Sequence, residues 1–120
     1  MIEIKNVSKK YGNKVALNNV SFKVEDGEIF AFIGHNGAGK TTLIKAITGI
    51  HEFDEGEIII NGKSIIDNPI ECKKEMAYMP DNPELYENMK AIDFINFICD
   101  MYEIDQETRE KNIKKYEYWL

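Results

Sequence analysis

One segment constrains the fold of this chain more than any other: Gly34-His35-Asn36-Gly37-Ala38-Gly39-Lys40-Thr41. It fits the pattern G-x-x-x-x-G-K-[ST] at every fixed position. Gly34 and Gly39 can adopt backbone angles closed to other residues, which lets successive N–H groups point at phosphate oxygens. Lys40 supplies a positive charge for β- and γ-phosphates, and Thr41 supplies a hydroxyl for the Mg²⁺ that bridges them. The segment therefore predicts a loop that binds the phosphates of a nucleotide.

The residues on either side of the loop predict the strand and the helix that such a loop requires. Residues 28–33 are an apolar run without alternation, which is typical of a parallel strand buried on both faces. Residues 41–48 place apolar side chains at helical spacing from Leu43 to Ile47, and Gly49 follows as a helix stop. The predicted order is strand, loop, helix, which defines an α/β fold of the P-loop type.

Further strand and helix signals lie on both sides of this unit. Alternating apolar residues predict antiparallel strands over residues 2–7 and 15–24. Short apolar runs predict two more strands, over residues 57–60 and 76–79. Glycine-containing turns are predicted at Lys10–Asn13, Glu25–Gly27 and Asn61–Gly62. An amphipathic helix carries Ala91, Phe94, Ile95, Ile98 and Tyr102, and Asp105 caps a second helix with Ile113, Tyr116 and Leu120.

Length and composition limit the possible classes of protein. The chain has 120 residues, 43% hydrophobic and 30% charged, which is the range of one globular domain or a piece of one. Its longest apolar run, Ile29–Ile33, is far below the roughly 20 residues of a membrane-spanning helix, and no secretory signal is evident, which indicates the cytoplasm. The net charge of −6 argues against a nucleic-acid partner. Cys72 and Cys99 are expected to be reduced thiols.

On these residues, the sequence resembles the nucleotide-binding domain of ATP-binding cassette (ABC) proteins. Residues 34–43 are similar to the Asn-Gly-Ala-Gly-Lys-Thr-Thr-Leu form of the Walker A motif that this family favours. The resemblance implies ATP and Mg²⁺ as ligands. It implies that the nucleotide is bound by Gly34, Asn36, Gly37, Ala38, Gly39, Lys40, Thr41 and Thr42, with Thr41 also on the metal. Thr42 is equally well explained as an ordinary first-turn helix residue.

Tyr11, in Lys10-Tyr11-Gly12, occupies the position of the family's A-loop aromatic, 23 residues before Gly34. In the resembled family this ring stacks on adenine. A tyrosine beside glycine in a turn is otherwise more often a packed surface aromatic than a base platform. The resemblance therefore adds Tyr11 to the predicted cofactor-binding residues.

Asp81 marks a departure from the family pattern. Met76-Ala77-Tyr78-Met79-Pro80-Asp81 resembles the strand end that leads into the family's Q-loop, where glutamine is usual. A carboxylate binds Mg²⁺ more strongly than an amide, but when ionised it cannot donate a hydrogen bond to water. Asp81 is therefore predicted as a metal ligand, with a turn-capping role before Asn82-Pro83 as the alternative.

The resemblance also indicates which motifs of the family lie outside these residues. The chain contains no Leu-Ser-Gly-Gly-Gln signature, no Walker B strand with a catalytic glutamate and no switch histidine. We therefore expect residues 1–120 to be the N-terminal portion of one ABC nucleotide-binding domain. Within it, residues 1–89 are the ATP-binding core through the Q-loop, and residues 90–120 are the start of the helical subdomain. No catalytic residue is predicted, and the chain alone is expected not to hydrolyse ATP.

The implied function is MgATP binding by an ABC ATPase that couples hydrolysis to transport, with Pro83-Glu84-Leu85-Tyr86 similar to exporter subunits. The implied partners are a transmembrane permease and a second nucleotide-binding domain in a dimer sandwich. The implied location is the cytoplasmic face of the membrane, reached through the permease. Two alternatives are a soluble ABC protein acting on ribosomes or DNA, and a nucleotide-binding fragment without turnover.

Both histidines and the basic C-terminal helix have simpler explanations than a site. His35 occupies a variable position of the loop. A solvent-facing side chain explains it about twice as readily as a phosphate contact does. His51-Glu52-Phe53-Asp54-Glu55 is better explained as an acidic turn before a strand than as a metal site. Residues 103–120 mix five acidic with four basic groups, which favours a solvated helix over a nucleic-acid surface.

Overall fold

A computed structural model describes residues 1–82 and 88–116 of the chain. They form two compact units, one of residues 1–78 and one of the described residues from Met79 onward. The first contains strands β1 (Ile2–Tyr11), β2 (Lys14–Val24), β3 (Glu55–Ile60) and β4 (Lys63–Ser64), and helices α1 (Lys40–Ile47) and α2 (Pro69–Lys74). The second contains helices α3 (Ala91–Met101) and α4 (Gln106–Tyr116). In the described ranges, no helix is both long enough and apolar enough to cross a membrane.

The strands of the first unit form one antiparallel sheet in the order β2-β1-β3-β4. Ile4 is paired with Phe22 of β2 on one side and with Ile58 of β3 on the other. Ile4 and Ile58 are buried, and Val7 is completely buried although strict alternation would place it on the opposite face from Ile4. The predicted antiparallel N-terminal region is confirmed.

A bulge in β1 explains how Ile4 and Val7 reach the same core. The register of β1 shifts between Ile4 and Val7 against β2, and between Lys5 and Ser8 against β3. Asn6 has a positive φ of 52° at this point. A bulge inserts an extra residue and so returns the next apolar side chain to the buried face.

Helix α1 covers the core and ends as the sequence predicts. Leu43 and Ala46 are buried against the sheet residues. Gly49 has a φ of 68° and donates its N–H to the Ala46 carbonyl at 3.1 Å, while Thr48 Oγ1 donates to the Ile44 carbonyl at 3.0 Å. The left-handed residue closes the helix and satisfies carbonyls of its last turn.

The predicted turn at Asn61–Gly62 is confirmed as a hairpin between β3 and β4, with φ values of 48° and 81°. Helix α2 was not predicted. It is only six residues long, so apolar periodicity could not develop, although Pro69 at its start is a typical first helical residue. Cys72 of this helix is completely buried, whereas Cys99 of α3 is partly exposed, and both are free thiols.

Two of the predicted strands are wrong, because the structure assigns no strand to residues 28–33 or 76–79. Ile29 is fully exposed and Ile33 is 95% exposed. A parallel strand is stabilised by hydrogen bonds to neighbours and by layers on both faces. Within the described residues the only sheet is antiparallel, with β2 and β4 at its edges, and neither segment pairs with it. Phe32 and Met76 nevertheless pack against the core, and the Phe30 ring stacks on Phe22 of β2 with ring centroids 4.8 Å apart.

The two helices of the second unit follow the predicted pattern. Asp105 caps α4, since its carboxylate accepts hydrogen bonds from the Thr108 N–H at 2.9 Å and the Thr108 hydroxyl at 2.8 Å. These bonds lower the pKa of Asp105. Arg109 of α4 donates to Asp100 at 2.6 Å and to the Ile104 carbonyl at 3.0 Å. Lys111, Lys114 and Lys115 of α4 are exposed, as expected for a solvated helix, whereas Arg109 is partly buried; Leu120 lies outside the described residues.

Candidate nucleotide-binding site

The glycine-rich loop places the N-terminus of α1 at a concave surface of the first unit. Gly39 precedes the helix with a φ of 93°, and the first helical hydrogen bond runs from the Leu43 N–H to the Gly39 carbonyl at 2.9 Å. The first N–H groups of a helix have no intrahelical acceptor. The first turn of α1 carries no acidic residue and no side-chain cap. These donors, together with the positive end of the helix dipole, favour an anion.

Gly39 fits its position because any side chain would collide with β2. A Cβ at this residue would lie 2.3 Å from the Ala16 carbonyl oxygen and 3.2 Å from Leu17 Cδ2. Gly37 has a φ of 86° but open space around it. The loop is therefore seated directly on the start of β2, and this contact fixes where the helix begins.

Lys40 holds the two ends of the loop together. Its Nζ donates hydrogen bonds to the carbonyls of Gly34 and His35, the latter at 2.8 Å. The Ala38 N–H also donates to the His35 carbonyl, at 3.2 Å. The ammonium group is thus kept within the curl of the loop, where a bound phosphate would meet it.

The structure brings most of the predicted site residues to one cavity of about 460 Å³. Its lining consists of Tyr11, Lys14, Ala16, Asn36, Gly37, Gly39, Lys40, Thr41 and Thr42. Seven of these nine were predicted from sequence, including Tyr11, which reaches the loop from the end of β1. Gly34 and Ala38 belong to the loop but are not among the lining residues.

Lys14 and Ala16 are the lining residues that the sequence did not reveal. Lys14 follows the turn after Tyr11 and is its partner in the β1–β2 register, which places both at the same end of the hairpin. Lys14 could have been predicted from the short turn, because that turn places it opposite Tyr11, which was already predicted to bind the nucleotide. Ala16 lies on β2 where its carbonyl oxygen faces Gly39 of the loop.

Tyr11 is half-exposed and is contacted by two polar side chains, those of His51 and Lys9. Its hydroxyl is hydrogen-bonded to His51 Nδ1 at 3.1 Å, and Lys9 Nζ lies 5.5 Å from its ring centroid. Lys9 is paired with Asp54 at 2.9 Å, which raises the pKa of Lys9 and lowers that of Asp54. His51 and Asp54 thus contact the end of β1. In the described part of the chain, no cluster of three or more histidine, cysteine or acidic residues could hold a metal.

His35 and Asp81 lie outside the cavity lining. His35 is exposed, and its Nδ1–H donates to the Asn36 carbonyl at 2.9 Å, consistent with a solvent-facing loop residue. Asp81 belongs to the second unit and is exposed. Its predicted role as a metal ligand stays a prediction, and Pro83–Tyr86, the segment similar to exporters, lies outside the described residues.

A phosphate-binding loop between β2 and α1, with an aromatic ring at the same cavity, defines a nucleotide-binding protein of the P-loop class. The sequence of residues 17–119 matches the family described as ABC transporter. The chain belongs to this family, as the resemblance predicted.

Similar proteins serve both directions of transport. The chain is 35% identical over 119 residues, 99% of its length, to the uncharacterized ABC transporter ATP-binding protein MJ1023 of Methanocaldococcus jannaschii. It is 40% identical over 97 residues to the SkfA peptide export ATP-binding protein SkfE of Bacillus subtilis. It is 43% identical over 97 residues to the molybdate/tungstate import ATP-binding protein WtpC of Thermococcus kodakarensis. The last two matches each cover 81% of the chain.

Solved structures show the same fold. An ATP-binding subunit of an ABC transporter superposes with a TM-score of 0.82 at 36% identity, over 89% of this chain and 45% of that one. The dimeric cassette MJ0796 gives a TM-score of 0.78 at 25% identity, over 96% and 55%. The chain spans 40% of MJ1023, 40% of SkfE and 29% of WtpC, and so less than half the length of these relatives.

Proposed function

We propose that this chain is the N-terminal part of an ABC nucleotide-binding domain, that it binds MgATP, and that the complete domain hydrolyses ATP to drive transport. The observation that carries the proposal is the shared cavity of Tyr11 and the loop residues 36–42. An aromatic platform at one position and a cradle of N–H donors at another are what a base joined to a triphosphate requires.

The donors at the loop fit a triphosphate better than other anions. The first turn of α1 offers several N–H groups, Lys40 adds an ammonium held within the loop, and no carboxylate opposes them within that turn. Each charge-assisted contact contributes about 1.5 to 3 kcal/mol. A single carboxylate or sulfate would occupy only part of the 460 Å³ cavity.

The donor set also fits Mg²⁺ bound together with phosphate. Thr41 is exposed in the first turn of α1 and lines the cavity, where its hydroxyl is a hard oxygen ligand. Mg²⁺ is usually bound by one or two protein oxygens together with phosphates and waters, so a dedicated cluster of carboxylates is not required. When bound, Mg²⁺ would neutralise phosphate charge, and Thr41 would hold it with Asp81 as the proposed second ligand.

Turnover is proposed for the complete domain only. The general base and the signature motif of the resembled family are not among the 120 residues. We expect the chain alone to bind nucleotide without hydrolysing it, and dimerising the chain should not rescue activity, because neither copy supplies the missing groups.

The proposed partners follow from the relatives. SkfE and WtpC are named for peptide export and for molybdate/tungstate import, both of which require a path across a membrane. MJ0796 forms a dimer. We propose a transmembrane permease and a second nucleotide-binding domain as partners, with this domain on the cytoplasmic face of the membrane. We also propose that the transporter is an exporter, because the sequence of Pro83–Tyr86 is similar to that of exporter subunits.

Calorimetric titration of MgATP into Lys40→Ala tests the proposal. Affinity should fall roughly 10- to 150-fold, since a charge-assisted phosphate contact is lost. Lys45→Ala is the matched control, because Lys45 lies in the last turn of the same helix and is not among the cavity residues. Equal affinities for the native protein and Lys40→Ala would contradict the assignment.

A further inference from the structure

His51 contacts the aromatic ring that the proposed function assigns to adenine, although it lies 40 positions from Tyr11. The Tyr11 hydroxyl and His51 Nδ1 are 3.1 Å apart, within hydrogen-bond distance. The two rings meet edge to face, with centroids 6.5 Å apart and an interplanar angle of 73°. The hydrogen bond uses the hydroxyl, so the faces of the Tyr11 ring are not covered by the imidazole.

The backbone around His51 is held at both ends of the connection between α1 and β3. The N–H groups of Ile50 and His51 donate to the Lys45 carbonyl at 2.9 and 3.1 Å. At the other end, the Asp54 N–H donates to the Ser8 carbonyl at 2.9 Å. The imidazole therefore contacts Tyr11 from a segment that is hydrogen-bonded to both α1 and β1.

A second set of contacts fixes the other side of Tyr11. Asp54 Oδ1 accepts from Lys9 Nζ at 2.9 Å, and Asp54 Oδ2 accepts from the Lys10 N–H at 2.7 Å. Lys9 Nζ lies over the Tyr11 ring, 5.5 Å from its centroid. The cation occupies one face, so a nucleobase would stack on the opposite face.

We infer that His51 is a positioning residue for adenine recognition, which acts by holding the Tyr11 ring in its stacking orientation. The inference rests on the proposed function. Rotation of a tyrosine ring about its last side-chain torsion is broad, and 46% of Tyr11 is exposed to solvent. A hydrogen bond to the hydroxyl restricts the side chain before the nucleotide arrives, which reduces the entropy lost on binding. His51 itself does not line the cavity.

The test compares ATP with inorganic triphosphate, both with Mg²⁺, by calorimetry. The ratio of their dissociation constants isolates the part of the affinity due to the nucleoside. His51→Ala should reduce the preference for ATP about two- to tenfold, the range for loss of one hydrogen bond, and leave triphosphate affinity unchanged. His51→Asn retains a side-chain hydrogen-bonding group and should restore most of the preference. Glu52→Ala, on the same connection, should have no effect.

Tyr11→Phe supplies the decisive second variant, because it keeps the ring and removes only the hydroxyl. It should reduce the preference for ATP as much as His51→Ala does. In the double variant, His51→Ala should then have no additional effect, since the partner hydroxyl is already absent.

The outcomes separate this inference from the proposed function. A native protein that binds triphosphate as well as ATP would overturn the role of Tyr11, and the inference with it. A native preference for ATP that His51→Ala leaves intact would overturn the inference alone. Equal losses for both ligands, or additive effects of the two substitutions, would show that His51 only supports the fold and would also overturn it.

Discussion

The carbonyl oxygen of Ala16 lies directly behind Gly39, so that a Cβ on the glycine would be 2.3 Å from this oxygen. This contact joins the start of β2 to the residue that begins α1. It explains why the Tyr11–Lys14 end of the hairpin and the phosphate-binding loop share one cavity. The position of a backbone atom in a strand therefore determines the residue type allowed in the loop.

Gly39→Ala should destabilise the protein and misplace the loop. The left-handed backbone alone costs about 1 to 3 kcal/mol for a residue with a side chain, and the collision with Ala16 adds to this cost. Gly37→Ala is the matched control, since its φ of 86° is similar to 93° but no atom lies within 4 Å of the added group. Urea denaturation should give a larger loss of unfolding free energy for Gly39→Ala. Equal losses would show that the Ala16 contact is unimportant.

Lys14→Ala should weaken the binding of triphosphate-containing ligands about two- to fivefold at low salt, as expected for one exposed charge. The effect should shrink as salt is raised, because exposed charges are screened. Lys23→Ala is the control, since Lys23 lies at the far end of β2, about 30 Å away at the usual rise per residue. If both variants have the same affinity and salt dependence as each other, Lys14 does not contribute to the site.

The sequence could predict the local parts of this structure and not the parts that depend on distant neighbours. The loop, the start and stop of α1 and the cap at Asp105 were predictable because each depends on a few adjacent residues. Residues 28–33 were wrongly predicted as a buried strand, because their apolar composition reflects burial that the described residues do not provide. His51 could not be predicted, since its contact with Tyr11 arises only when the α1–β3 connection folds back onto β1.

Asp81→Gln should alter the metal dependence of ATP binding if Asp81 lies near the nucleotide. A carboxylate repels a metal-free nucleotide but becomes a hard oxygen ligand when Mg²⁺ is present. ATP affinity should therefore depend more steeply on Mg²⁺ in the native protein, and metal-free ATP should bind Asp81→Gln better. Titrations of ATP with and without Mg²⁺ decide the point. Identical metal dependence would leave Asp81 with only a turn-forming role.

Cys72 should react much more slowly with thiol reagents than Cys99. Burial raises the pKa of the Cys72 thiol, and its Sγ lies 3.4 Å from the Lys63 carbonyl, to which the thiol donates. Because local opening must precede reaction, we expect the reaction rate of Cys72 to be lower than that of Cys99 by a factor of at least about ten. Raising the pH should not remove this difference, because reaction at Cys72 still requires local opening. Cys99→Ser and Cys72→Ser assign the two phases, and equal rates in the folded protein would contradict the burial of Cys72.

The most direct test of the central claim, that one cavity holds both adenine and triphosphate, is the effect of Tyr11→Ala on each part of the ligand. Calorimetry should show a loss of about 1 to 3 kcal/mol for MgATP, by analogy with stacking on nucleic-acid bases, and unchanged affinity for magnesium triphosphate. An equal loss for both ligands would show that Tyr11 supports the loop rather than the base. Unchanged affinity for both would contradict a shared site.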